Sequence, residues 1–316
     1  MTGVVWLASY PKSGNTWLRI LLGSLALGDD EAIDINRLPD RNGIASARAS
    51  FDYHMLIDSG LMTHDEIECL RPRLHEILAS EFDDEEAPQT AQAVRFVKTH
   101  DAYTLTPLGE PLLAGARGAK GAIVIVRDPR DVAPSLANHK RATIDDAIDF
   151  MNDDEASFCG RLNRQDRQLR QKLPGWSGHI AGWLAQRDIP VHVLRYEDLI
   201  GDTMGAVLEV LKFSGRAVPR ALVERAVALA AFENLQAQER ETGFAEWREG
   251  RDGDRLFFRR GASGGWREEL TPGQARRIEA AHGPMMERLG YVLSAGCKSA
   301  SDDLQRGRRT DAATGV

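Results

Sequence analysis

Short runs rich in β-branched residues recur along the chain, separated by longer stretches with the periodicity of amphipathic helices. Residues 4–7, 122–126 and 191–194 are the clearest such runs, and residues 94–97 form a shorter one. Strands that are apolar nearly throughout suit a sheet covered on both faces. Helices between them suit crossovers that keep the strands parallel. The pattern predicts an α/β fold: a single P-loop-like domain with a central parallel β-sheet flanked by helices.

Two helix starts are marked by their own chemistry. Thr63 and Glu66 have capping-box spacing, with Met62 and Ile67 placed as a hydrophobic staple. Thr271, Pro272 and Gln274 supply an N-cap, a first-turn proline and an N3 acceptor. Ile278, Ala281, Met285 and Leu289 then fall on one face, with Gly290 at the expected stop. The acidic residues 81–86 before Pro88 read as a solvated loop. Beyond Cys297 apolar periodicity is lost, so the pattern predicts a domain over residues 1–297 and a disordered tail over 298–316.

Composition narrows the function classes. The 316 residues are 42% hydrophobic and 28% charged, as in ordinary globular proteins. With Lys+Arg 40 against Asp+Glu 47, the net charge is −7, which disfavours nucleic acid as a partner. A local basic pocket is still compatible with it. Cys69, Cys159 and Cys297 are far apart and lack metal-site spacing, so neither a disulfide framework nor a metal is expected. No run approaches the roughly 18–20 apolar residues of a membrane span. A cytoplasmic protein without a membrane partner is the expectation.

The most informative segment follows the first strand: Tyr10-Pro11-Lys12-Ser13-Gly14-Asn15-Thr16-Trp17, leading into the apolar residues Leu18, Ile20, Leu21 and Leu22. Backbone N–H groups at a helix start, beside a lysine and small hydroxyls, form a cradle for phosphate. A Walker A loop would place Lys after the second Gly, whereas Lys12 precedes Gly14. This string resembles the 5′-phosphosulfate loop of sulfotransferases that use 3′-phosphoadenosine 5′-phosphosulfate (PAPS), written Y-P-K-S-G-T-T-W. Asn15 stands where the cytosolic members usually have Thr, and its amide could still donate to a phosphate oxygen.

Further segments carry the resemblance in the family's order. Arg127-Asp128-Pro129-Arg130, with Ser135 downstream, resembles the 3′-phosphate segment. Physically, an arginine at a strand end offers a bidentate fork to phosphate. Arg130 and Asp131 read as structural. Tyr196-Glu197-Asp198-Leu199 resembles the segment that contacts adenine, with Trp17 stacking on the other side of the base and Phe232 as a looser match. Arg259-Arg260-Gly261, ending at Trp266, resembles the loop that closes over the 3′-phosphate. Arg260 and Gly265 replace the usual Lys and Asp. Lys98-Thr99-His100 resembles the family's K-T-H, whose His is the general base.

The resemblance implies sulfuryl transfer from PAPS, releasing 3′,5′-phosphoadenosine (PAP), to a hydroxyl or amine. The acceptor is expected to be a small molecule or natural-product scaffold, free or carrier-bound. It implies catalytic roles for His100, Lys12 and Lys98. Nucleotide contacts would come from Lys12, Ser13, Gly14, Asn15, Thr16 and Trp17, with Arg127, Ser135, Tyr196, Arg259, Arg260 and Gly261. A P-loop kinase using Asp128 as a metal ligand, and a non-catalytic nucleotide-binding protein, are the alternatives. Residues 33–61 and 143–175 are expected to shape the acceptor pocket. In the second, Arg161, Arg164, Arg167 and Arg170 recur every third residue, as on a solvated helix face or a dock for an acidic acceptor. The oligomeric state is not legible.

Overall fold

Strand β1 (Gly3–Ser9) runs into helix α1 (Asn15–Ser24), and α2 (Arg48–Met55) and α3 (His64–Asp84) return the chain to β2 (Val94–Thr99). Strand β3 (Gly121–Val126) follows, then α4 (Pro129–Lys140), α5 (Ile144–Asn152), a short pair β4 (Ser157–Phe158) and β5 (Gln171–Lys172), and α6 (Gly175–Ala185). After β6 (Val191–Arg195) come α7 (Tyr196–Gly201), α8 (Thr203–Ser214), α9 (Arg220–Leu229), α10 (Phe232–Thr242), α11 (Trp266–Glu269) and α12 (Pro272–Arg288). The structure, a computed structural model, describes residues 3–25, 27, 33–37, 43–84, 94–161, 165–247 and 256–294. Cys297 and the expected tail lie outside the described residues.

The main sheet has the order β2-β1-β3-β6 and is parallel throughout. Its side chains alternate between two cores. Val4, Trp6 and Ala8 pack with Ala122, Val124 and Val126 beneath α4, α5, α6 and α12, whereas Val5 and Leu7 pack with Ile123 and Ile125 beneath α1, α8 and α9. Burial on both faces explains the almost wholly apolar strand sequences. The fold is therefore α/β, a parallel sheet flanked by helices, as the periodicity predicts.

Both capping boxes form. Thr63 Oγ1 accepts from Glu66 N at 3.3 Å, and Thr271 Oγ1 accepts from Gln274 N at 3.2 Å. Three local expectations are corrected. Residues 81–84 extend α3 instead of opening a loop, and residues 85–86 of the expected loop lie outside the described residues. Helix α12 buries Ile278, Glu279, His282 and Met286 and leaves Ala281 exposed. The buried polar positions are supported by partners: Glu279 accepts from Arg130 Nη1 at 2.7 Å, and His282 Nδ1 lies 2.9 Å from Ser177 Oγ. Between β4 and β5 the chain forms no helix among the described residues, so the arginine repeat does not mark a helix face. Arg170 pairs with Asp65 and Glu68, while Arg164 lies outside the described residues.

One buried ion pair ties α3 to the end of β2. Arg71 Nη1 and Nη2 donate to Asp101 Oδ1 and Oδ2 at 3.0 and 2.7 Å, with both side chains fully buried. Thr99 Oγ1 donates to the same carboxylate, and Trp183 Nε1 donates to the Asp101 carbonyl. Removing one member strands a buried charge, which costs about 3–5 kcal/mol. Arg71→Met should lower unfolding stability by about that amount, read as a lower urea midpoint at unchanged slope.

Candidate active site

Each strand of the main sheet delivers a singled-out residue at its carboxyl end: β1 the loop with Lys12, β2 Lys98 and His100, β3 Arg127, and β6 Tyr196. The strand order reverses around β1, and ligands of open parallel sheets bind in the crevice at such a switch point. The crevice here is a cavity of about 1170 Å³. That exceeds the roughly 300–1,000 Å³ of a typical single-ligand pocket.

The loop is shaped for an anion. Gly14 is the N-cap of α1 at φ 99°, no side chain caps the first turn, and no acid lies in it. The first amides are therefore left to whatever occupies the crevice, where the helix dipole favours negative charge. Lys12, at φ 68°, holds a left-handed backbone rare for a non-glycine residue. Its ammonium lies 3.8 Å from the centroid of the Phe257 ring and 5.6 Å from that of Trp247. Burial lowers its pKa to about 7, with the charges of Lys98 and Arg127 adding to the effect. Glu246 offsets part of this crowding: it accepts from Arg19 at 2.8 Å and from Lys98 Nζ at 3.4 Å. Burial would raise the Glu246 pKa, but Lys98 and Arg19 bring it below the usual carboxylate range.

Arg127 donates to the Lys12 carbonyl at 3.1 Å and lies 4.4 Å from the centroid of the Tyr196 ring, which leaves its buried Nε without a partner. Arg259 pairs with Glu269, its Nη2 at 2.9 Å, and Arg260 reaches Glu268 at 3.3 Å. Their loop is fastened to α4, because Asp131 accepts from Gly264 N at 2.6 Å and Trp266 N at 2.8 Å. Asp128, the metal ligand a kinase would need, is taken up by Arg130, whose Nη2 donates to it at 2.6 Å, and by capping α4.

His100 sits beside the start of the loop. Its Nδ1 lies 2.8 Å from the Ser9 carbonyl oxygen, which can only accept, so Nδ1 carries the proton and Nε2 the free lone pair. Burial holds its pKa well below the ordinary histidine value, and the charge of Lys98 pushes the same way. The imidazole is consequently neutral at neutral pH. His179, read from sequence as structural, sits 3.1 Å from the His100 carbonyl through Nε2.

Thirteen of the fourteen distinct residues assigned from sequence line this one cavity: Ser13 is buried away from it. The Asn15 side chain also differs from expectation. Its Nδ2 donates inward to the Leu7 carbonyl at 2.8 Å and to Ser9 Oγ at 3.1 Å, so the amide braces the β1 end and is not offered to a phosphate. Trp17 and Tyr196 meet edge to face, centroids 6.2 Å apart at 72°, forming a corner and not parallel plates. Sequence reasoning missed Glu246, Trp247 and His139, which come from segments without a motif.

A sulfotransferase domain model matches residues 3–290, nearly the whole described chain. The chain belongs to the sulfotransferase family. It is 26% identical over 299 residues to flavonol 3-sulfotransferase of Flaveria bidentis, covering 92% of this chain and 83% of that one. It is 24% identical over 230 residues to luciferin sulfotransferase of Photinus pyralis, covering 72% and 55% respectively. Retinol dehydratase, in a crystal structure with androsterone and PAP, shares the fold at TM-score 0.56 and 20% identity, covering 93% of this chain and 83% of that one.

In this sulfotransferase the glycine of the loop has a steric reason. A Cβ on Gly14 would lie 2.5 Å from Tyr196 Cδ2, at a φ that already disfavours a side chain. Gly14→Ala should therefore cost about 1–3 kcal/mol. The cost should shrink in a Tyr196→Ala background, as a double-mutant unfolding cycle would read.

Proposed function

We propose that this sulfotransferase moves a sulfuryl group from PAPS to a hydroxyl or amine of a small-molecule acceptor, with His100 as general base. One observation carries the reading: a neutral imidazole, held by its Nδ1–H, shares a cavity with a cluster of cations around an uncapped helix start. The names of the relatives and the PAP-bound structure support the donor and the kind of acceptor.

The donor set fits a nucleotide with phosphates at two places. The first-turn amides of α1, with Lys12 and Thr16, would hold one phosphate, while Arg127, Ser135, Arg259 and Arg260 would hold the other. Trp17, Tyr196 and Phe232 would enclose the base. Bound PAPS supplies the sulfuryl group and a phosphate leaving group. His100 Nε2 takes the proton of the acceptor hydroxyl as that oxygen approaches. Lys98 and Lys12 counter the negative charge that develops on the transferred group and the departing oxygen. Glu246 steadies Lys98 without cancelling the positive field.

His100→Ala should reduce kcat by roughly 10²–10⁴-fold while leaving PAP affinity near wild type, measured by sulfated-product mass spectrometry and calorimetry. Retention of full turnover would remove His100 from the mechanism. Because its pKa lies well below 6.5, the wild-type rate should persist at pH 6 and fall only in more acidic buffer, where Nε2 gains a proton.

Lys12 gives the opposite sign. In the free enzyme it loses its proton as pH rises through about 7, and a bound phosphate favours its return. PAP binding should take up close to one proton at pH 8, where the phosphates are already ionised. It should turn to net release at pH 6, where Lys12 is protonated and the phosphates, with a second pKa of about 6, give up protons to the cationic site. Calorimetry in buffers of different ionisation enthalpy measures this, and equal uptake at both pH values would contradict it.

A further inference from the structure

The same cavity is lined by a second group of residues with its own character. One wall is aromatic: the His139 ring lies 5.0 Å from Trp247 at 31° and 6.3 Å from Phe158 at 37°. Burial, with the charges of Lys12 and Lys98, holds His139 neutral, its pKa lowered to about 3. This wall is an apolar, nearly layered surface suited to a flat body.

The rim beyond it is cationic. Lys140, Arg161 and Arg167 line the same cavity and are exposed. None of the three is ion-paired to an acid among the described residues, although the Lys140 ammonium lies 3.2 Å from the centroid of the Phe150 ring. Lys140 and Arg161 are close enough to repel: the Lys140 pKa is lowered first by burial and then by the Arg161 charge, with the Asp146 carboxylate offsetting part of the effect. Two acids also line the cavity. Glu246 is engaged with Arg19 and Lys98, and Asp166 stands beside Arg167. In a chain of net charge −7, an excess of cations at one mouth is a local feature and not an effect of composition.

The backbone beneath this rim is fastened. Arg48 N donates to the Arg167 carbonyl at 3.0 Å, Arg48 Nε to the Asp166 carbonyl at 2.7 Å, and Leu169 N to the Ser46 carbonyl at 2.7 Å. The β4–β5 pairing secures the segment leading to Arg161. Three cations held near one another, with only Asp166 among the lining acids beside them and Asp146 acting on Lys140, favour an anion that joins them.

We propose that the acceptor carries an anionic group at the end away from its reacting hydroxyl, received by Lys140, Arg161 and Arg167, with its flat body against His139 and Trp247. The proposal rests on the sulfuryl-transfer reading of the site and adds the charge class of the acceptor.

The test uses the full chain saturated with PAP, titrated calorimetrically with hydroxyaryl carboxylates of increasing length and with their methyl esters. At least one acid should bind about tenfold more tightly than its ester at low salt, and the gap should shrink near 0.5 M salt. In an Arg161→Gln, Arg167→Gln double variant the preference should vanish, with ester and PAP affinities unchanged. Equal affinities across the panel, or a preference that survives in the double variant, would overturn the proposal. So would a parallel loss of PAP affinity, which would assign the cations to the nucleotide. Failure of the wild-type chain to bind PAP would instead strike the sulfuryl-transfer reading, and the acid–ester comparison on the free chain would still decide this proposal.

Discussion

The parallel pairing of β1 with β2 is the constraint on which the site depends. Its register sets Leu7 beside Lys98 and Ala8 beside Thr99. The next residues, Ser9, still paired with Ile125 of β3, and His100, then lie side by side, and the Ser9 carbonyl meets His100 Nδ1. A slip of one residue would turn Lys98 and the whole inward set of β2 to the other face. The register is defended from both sides, by two apolar cores and by the buried Arg71–Asp101 pair immediately after His100. The tautomer of the proposed base is thus a consequence of strand pairing.

Electrostatics supplies the second condition. A chain with more acids than bases nevertheless packs Lys12, Lys98 and Arg127 around one cavity. Burying cations near one another is unfavourable, and the strain is visible in Lys12, brought close to neutrality at physiological pH. Three features make the arrangement tolerable: the faces of Phe257 and Trp247 under the Lys12 ammonium, the shared carboxylate of Glu246, and the tethers from Asp131 and Glu269 to the arginine loop. The same repulsion that weakens the empty site favours a polyanion entering it.

Much of this is legible in the sequence alone. Apolar runs marked the four main strands because both faces of a parallel sheet are dry, and the capping boxes marked α3 and α12 because their chemistry is local. The residues of the loop, the Lys98–His100 segment, Arg127, Tyr196 and Arg259–Gly261 were readable as motifs. Asn15 was misjudged because its side chain could donate in either direction, and only the position of Ser9 Oγ and the Leu7 carbonyl decides which. The arginine repeat misled in a similar way: a spacing of three is compatible with a helix, but Arg170 is drawn to Asp65 and Glu68 on a distant element. From residues 33–61, Ile44 alone reaches the cavity among those described.

The amino-acid sequence by itself determined the α/β architecture, the main strands and the loop that opens α1, because hydrophobic periodicity, caps and glycine requirements act over a few neighbouring residues. Tertiary structure decided what those residues can do. It placed His100 against Ser9, lowered the Lys12 pKa, brought Glu246 to Lys98, and joined the His139–Trp247 wall to a cationic rim. Each of these effects depends on burial and on charges separated by many residues along the chain. Desolvation and Coulomb interaction are set by distance in space, which a linear sequence does not contain.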